Sequence, residues 1–383
     1  MIEGQLPKRD VRFTELDALR GIAALTVVFS HLRLLLTPPH QQITWKTSAL
    51  LLISAGQEAV FFFFLLSGFV LSLPLLRGKK QPYFVFLIRR IIRIYGPYLG
   101  ALAIALIGAS IWHAPPGSNR WENLTWTQPV NWRLVVHHIL FIGNYDWAQY
   151  NTAFWSLVIE MRISIIFPFM FLLVQRLRAA MSLVVACLCS IIATIIIARW
   201  PEMAQTMMTL EYAAIFICGI LLATYLDTAN AWYQRLSSGA RIVLLLVSAS
   251  LYAFGHQLAL MVRQQNFSLD LWLIVPGAAG YMLLSLNSQR ISAVLNSVVP
   301  KFLGRISYSL YLVHSTVLFA LVRILPNRLS LAVQIPIYVV ASIFLSYLFC
   351  IALEEPCLRL GRCFASQNKT ISTPSLCVGE QVV

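Results

Sequence analysis

A chain of 383 residues that is 58% hydrophobic and only 11% charged is not a soluble globular domain, in which about a quarter of residues carry charge. Its net charge of +14, from 29 Lys and Arg against 15 Asp and Glu, does not call for nucleic acid, because loops facing a cytoplasm accumulate the same excess. Apolar runs of span length recur from end to end, so the expected class is an all-α, polytopic membrane bundle with no soluble domain of useful size.

Lys8, Arg9 and Arg12 precede the first apolar run, as in a signal peptide, but His31, Leu32 and Arg33 stand where a small-x-small cleavage site would be. The run Phe13–Leu36 is therefore a retained first span, and residues 1–13 are a short segment before it. Arg20 and His31 are eleven residues apart, which places them on one helix face, roughly 20° apart and about 16 Å apart along the axis. Ionisable groups inside a span face a bundle interior or a wet cavity, and mark function by default. A structural reading, with Arg20 paired to Asp17, stands beside that.

Spans are expected at about 14–36, 48–76, 87–112, 153–175, 181–199, 207–226, 241–261, 269–287, 302–323 and 330–353, ten helices with both termini on one side. The second is over-long, and its start reads as a separate interfacial helix. Nineteen of the 29 Lys and Arg then fall on the N-terminal side and eight on the other, with Arg20 and Arg162 inside spans. By the positive-inside rule both termini are cytoplasmic. One unit covers 14–363, and the polar stretch 364–383 is expected to be a disordered cytoplasmic tail. The long loop 113–152 lies on the outer side; Trp132–Gly143 within it suits a short interfacial helix.

Several spans carry polar groups. Ser67 and Gly68 allow close approach or a hydrogen bond across the bundle. Arg90 and Arg93 share a face at the inner end of the third span, where two guanidiniums suit a phosphate, while Arg89 reads as an anchor. Glu160 and Arg162 lie on opposite sides of the fourth span, so each needs its own partner. Glu160 reads as functional, Arg162 as structural or anion-binding. Tyr308, Tyr311 and His314 place polar tips at three-residue spacing in one late span. The seven cysteines suggest no disulfide framework. There is no HExxH, CxxC, GxSxG or P-loop pattern, and His137 and His138 cannot both face one metal from a regular helix, so no metal is expected.

In order, LDALRGIAALTVVFSH, FFFFLLSGFVL, RRIIRIYGPY, FWSLVIE, LGRISYSLYLVH and EEPCLRLGR resemble the blocks of the acyltransferase family 3 membrane proteins, over about residues 13–363. The resemblance implies a ten-helix fold with cytoplasmic termini in a bacterial inner membrane. It implies transfer of an acyl group, acetyl first, from acyl-CoA to a glycan, a lipid-linked sugar or another hydroxyl-bearing acceptor. Carried over by position, His31 matches the essential histidine, Arg20 its partner arginine, Arg90 and Arg93 the pair for acyl-CoA phosphates, and Glu160 the glutamate of the WSLxxE block. Met161, Arg162, Ile163 and Ser164 depart from the acidic residue and Phe-Tyr pair of many members. The membrane unit is expected to complete the transfer alone. From the residues by themselves, a proton-coupled transporter or flippase using Arg20, His31 and Glu160 is the alternative.

Overall fold

Backbone amides in hydrocarbon have no water to bond, so a spanning chain must satisfy them within its own segments, as helices do. The computed structural model describes residues 13–36, 55–79, 81–113, 125–262, 268–325 and 329–371, and among these it is helical, with no strand. The segment before Phe13, residues 48–54 of the second expected span, loop residues 114–124 and the tail from 372 lie outside the described residues.

The helices are α1 (Thr14–Leu36), α2 (Gly56–Leu76), α3 (Tyr83–Trp112), α4 (Trp132–Leu140), α5 (Phe154–Arg176), α6 (Ala179–Arg199), α7 (Ala204–Thr224), α8 (Leu226–Arg235), α9 (Ser238–Val262), α10 (Leu269–Asn287), α11 (Gln289–Leu295), α12 (Val298–Ile324), α13 (Leu331–Phe349) and α14 (Glu355–Ile371). Nine helical stretches among the described residues are long and apolar enough to cross a membrane; α1, with 23 residues, carries Glu15, Asp17, Arg20 and Arg33 and is not among them. Ile107, Phe169, Ile195, Leu246 and Val340 point outward, as lipid-facing side chains do, while Phe69, Phe154, Phe167, Phe216 and Phe319 fill the interior. The protein is an integral, multi-pass membrane protein.

Two boundaries differ from expectation. Pro82 caps α3 at φ −55°, an angle its ring already fixes, so that helix starts earlier, at Tyr83. The last span does not stop near residue 353. A π-helical turn, Cys350–Glu354, carries the chain into α14, which runs to Ile371. The extension packs on α3, where a Cβ on Gly96 would meet the Cys357 sulfur at 2.5 Å. The short helix in the long loop forms as α4, with the Asn131 side chain accepting from the backbone N–H groups of Arg133 and Leu134 and Phe141 closing it in the left-handed region. Such a side-chain oxygen satisfies two of the orphan donors of a helix start.

Helices α1 and α12 run parallel along each other. Thr14 donates to Asn296 (2.7 Å), Arg20 to Ser307 (2.8 Å), and His31 meets His314, so the contacts climb both helices together. Their backbones touch at two glycines. A Cβ built on Gly21 would lie 2.3 Å from the Gly304 nitrogen, and one on Gly304 2.5 Å from the Asp17 carbonyl oxygen. Small residues allow this approach, which in lipid replaces the missing hydrophobic drive with close packing. Similarly, Gly68 admits the Phe216 carbonyl where α2 crosses α7.

Gly304→Ala is expected to push α1 from α12 and to cost about 1–3 kcal/mol, the usual range for overpacking. In detergent this reads as a lower apparent Tm, with Gly239→Ala, which meets nothing within 4 Å, as the unchanged control.

Candidate functional site

Three layers of polar contacts rise along α12 from the end of the bundle that carries the start of α1. In the lowest, the Arg20 guanidinium pairs with Asp17 (3.3 Å) and donates to the Ser307 hydroxyl (2.8 Å) and the Gly304 carbonyl (3.5 Å). The structural partner expected for Arg20 is therefore present, and the residue also braces α1 on α12 at the glycine crossing.

The middle layer joins α2, α3 and α5. Arg90 is buried, 6% exposed, and its Nη2 donates to Glu160 Oε1 at 2.8 Å. Its Nε and Nη2 also reach the Ser164 hydroxyl, at 3.3 and 3.2 Å. Ser67 donates to the same Glu160 oxygen at 3.2 Å. A charge taken out of water needs partners of this kind. Glu160 and Arg162 do not pair with each other, as their spacing requires; Arg162 donates instead to the carbonyls of Gln205 and Phe141, both at 3.1 Å, tying α5 to the start of α7 and to the end of α4. Arg90 and Arg93, which share a face of α3, have different surroundings. Arg93, one turn further along α3, is exposed and makes no hydrogen bond or ion pair among the described residues. Tyr308 sits among Arg90, Arg93, Glu160 and Glu354, and its hydroxyl donates to the Ile94 carbonyl at 2.8 Å.

The upper layer holds the histidines. His31 Nδ1 and His314 Nε2 are 2.9 Å apart, and His314 Nδ1 lies 2.9 Å from the Leu310 carbonyl oxygen. The ring centroids are 4.9 Å apart and the planes 27° from parallel. Centroids so much further apart than the bonded nitrogens place the rings edge to edge, as an N–H···N bond requires, and not face on face. His31 is half-buried and His314 fully buried. The start of α5 grips α12 on both sides of His314. Ser156 bonds Tyr311 (2.6 Å), Asn151 donates to the Leu312 carbonyl (2.9 Å) and the Thr316 hydroxyl (3.1 Å), and Thr152 bonds Ser315 (2.7 Å). Such contacts fix both the height and the rotation of His314.

Sequence reasoning had noticed His314 without giving it a role. The available signal was a repeat of spacing: Gly21 to His31 and Gly304 to His314 are both ten residues. Among the described residues Glu160 bonds Arg90 and Ser67, not His31. No group of His, Cys, Asp and Glu among the described residues has the arrangement of a metal site.

Above this layer α4 covers the bundle. His138, facing Tyr145, Tyr150 and Phe154, lies 3.2 Å from the Tyr98 hydroxyl. Burial holds its imidazole down to about 4 against an ordinary 6.5.

Two measurements follow from these layers. Removing one partner of the buried pair, as in Glu160→Ala, is expected to cost about 3–5 kcal/mol by stranding Arg90. It should read as lost monodisperse protein in detergent, with Glu160→Gln milder. His138 stays neutral in the folded chain while the unfolded chain takes up a proton, so its contribution is complete above pH 6.5 and is lost as pH falls towards 4. The protection factors of the α4 amides, exchange taken relative to the intrinsic rate at each pH, should fall between pH 6.5 and 4.5 in the wild type, and less so in His138→Gln.

Residues 13–353 match the family model of the acyltransferase domain, family 3. The acyltransferase MdmB of Streptomyces mycarofaciens is 27% identical over 393 residues, an alignment that takes in 93% of this chain and 94% of that one. No solved structure matches the chain. A bundle whose interior carries a histidine pair and a buried ion pair thus coincides with a family match over nearly its whole length: the chain belongs to the family 3 acyltransferases and is a membrane-embedded, acyl-transferring enzyme.

Proposed function

We propose that the protein moves an acyl group, acetyl first, from acyl-CoA in the cytoplasm to a hydroxyl of a glycan, lipid-linked sugar or similar acceptor on the far side of a bacterial inner membrane. The observation that carries this reading is the His31–His314 contact at 2.9 Å, which holds an imidazole inside an apolar bundle at the height where α5 locks α12. Support for the sidedness comes from the excess of Lys and Arg at the end where α1 begins.

Acyl-CoA phosphates dock on Arg93, whose exposed guanidinium offers charge-assisted, bidentate bonds. Arg90, locked on Glu160, adds positive potential behind it and keeps α3 against α5. The pantetheine arm rises beside α12, past Tyr308, towards His31. From Tyr308 to His314 the helix climbs six residues, about 9 Å. His31 takes the proton of the acceptor hydroxyl as general base. The oxygen attacks the thioester carbonyl, the carbon–sulfur bond breaks, and the imidazolium returns its proton to the leaving CoA sulfur. Water excluded from the bundle cannot compete for the thioester.

Membranes carrying the protein are expected to pass label from labelled acetyl-CoA to a glycan or lipid fraction. His31→Ala should lose this by roughly 10²–10⁴-fold, the usual contribution of a general base. Arg93→Ala should raise KM for acetyl-CoA by roughly 10–100-fold, the loss of one hydrogen-bonded charge, with kcat kept and the protein inserted. Full activity in His31→Ala would overturn the scheme. Gradient-coupled movement of a solute without consumption of acetyl-CoA would turn the reading to a transporter.

A further inference from the structure

The geometry points to His314 as a positioning residue that sets which nitrogen of His31 is basic. The inference rests on the reading of His31 as the base, and adds to it a named partner and a named atom.

At one end of the contact stands a group that can only accept. The Leu310 carbonyl oxygen lies 2.9 Å from His314 Nδ1, so that nitrogen carries the proton. A buried imidazole with no carboxylate in contact among the described residues is neutral, because a charge there would lack compensation. The proton on Nδ1 therefore leaves the lone pair of His314 on Nε2. That nitrogen is 2.9 Å from His31 Nδ1, and one of the two must donate. Since His314 Nε2 has no proton, His31 Nδ1–H is the donor. His31 in turn is neutral with its lone pair on Nε2, the outermost atom of the ring. Leu310 to His314 to His31 is thus one directional train of hydrogen bonds, with protons assigned by the accept-only carbonyl at its end.

An unassisted imidazole in water favours the opposite tautomer, with the proton on Nε2, which could not accept from an acceptor hydroxyl at the ring tip. The second histidine removes that handicap. It also stays bonded when His31 becomes an imidazolium, as Nδ1–H keeps its acceptor throughout. This is the orienting logic of a nucleophile–base–orienter triad, carried out here by a neutral ring in place of a carboxylate.

The two histidines cannot exchange roles. Both nitrogens of His314 are engaged and the residue is 0% exposed, whereas His31 is half-buried. The ring of His314 is aimed by the backbone of its own helix and by the bonds from Asn151, Thr152 and Ser156 to neighbouring turns of α12. A substitution at His314 therefore reaches the reaction only through His31.

The test uses the full chain in lipid, labelled with ¹⁵N-histidine, whose protonated and bare nitrogens resonate apart in solid-state NMR; subtracting the His31→Ala spectrum assigns His31. Wild-type His31 is expected to carry its proton on Nδ1 and none on Nε2. His314→Leu should move that proton to Nε2, and should lower kcat for label transfer from acetyl-CoA about tenfold or more with KM for acetyl-CoA unchanged, as for an interaction that matters only in the transition state. His314→Gln, whose amide oxygen can replace Nε2 as acceptor, should keep the Nδ1–H tautomer and a kcat within a few-fold of wild type. A proton on Nε2 of wild-type His31 overturns the inference without any variant. Wild-type kcat in His314→Leu beside an inactive His31→Ala overturns it while the assignment of the base stands; an active His31→Ala overturns both.

Discussion

The structure depends on one close approach, the backbone contact of α1 with α12 at Gly21 and Gly304. Side chains of any size there would hold the helices apart, since even a Cβ would enter the neighbouring backbone. In lipid the gain from such a crossing is packing and not hydrophobic transfer, so it exists only where small residues allow contact along a continuous surface. What makes it consequential is register. The helices are parallel, and each carries its histidine ten residues above its glycine, a rise of about 15 Å on both. Touching at the glycines therefore brings the histidines to one height. Arg20, bonded to Asp17 below and to Ser307 across, prevents either helix from sliding by a turn.

The buried charges follow the same economy. Arg90 answers Glu160, Arg20 answers Asp17, and Arg162 donates to the backbone carbonyls of Gln205 and Phe141. Each arrangement joins elements far apart in the chain. Glu160 collects α2 through Ser67 and α3 through Arg90, so three helices meet on one carboxylate. Against this internally matched set, Arg93 stands out by position: same face, one turn away, and turned outward.

Much of this was legible in the sequence. Apolar runs gave the spans, and the polar residues singled out at Arg20, His31, Arg90, Glu160 and Arg162 are those that organise the interior. Periodicity assigns a residue to a face of its own helix, which is why Glu160 and Arg162 were correctly kept apart. It does not say which other helix that face meets. Arg90 and Arg93 looked like one device because they share a face, and only the depth of α5 beside them separates a buried brace from an exposed arm. His31 and His314 are 283 residues apart, and nothing local in either stretch names the other. The continuation of the last span through a π-helical turn was hidden for a different reason: a stretch such as Glu355–Phe364 is too polar to read as a span, and becomes helical by lying on α3.

If His31 is the base, as proposed above, the use of a histidine to orient it follows from where the pair sits. In a soluble site an aspartate commonly performs this task, at the cost of burying a negative charge that the solvent nearby helps to offset. Within a bundle surrounded by hydrocarbon that charge would need a dedicated cation, and the cation would in turn perturb the base. A neutral imidazole avoids both problems, because it accepts from His31 with a lone pair and hands its own proton to a backbone carbonyl that its helix presents to it. In the proposed scheme the train carries direction without carrying charge, so the only ion formed during transfer would be the one that the reaction itself creates. Charge-matched pairs are placed one layer lower, at Arg90 and Glu160. The separation of the two layers lets one hold the helices together while the other remains electrically quiet until substrate arrives.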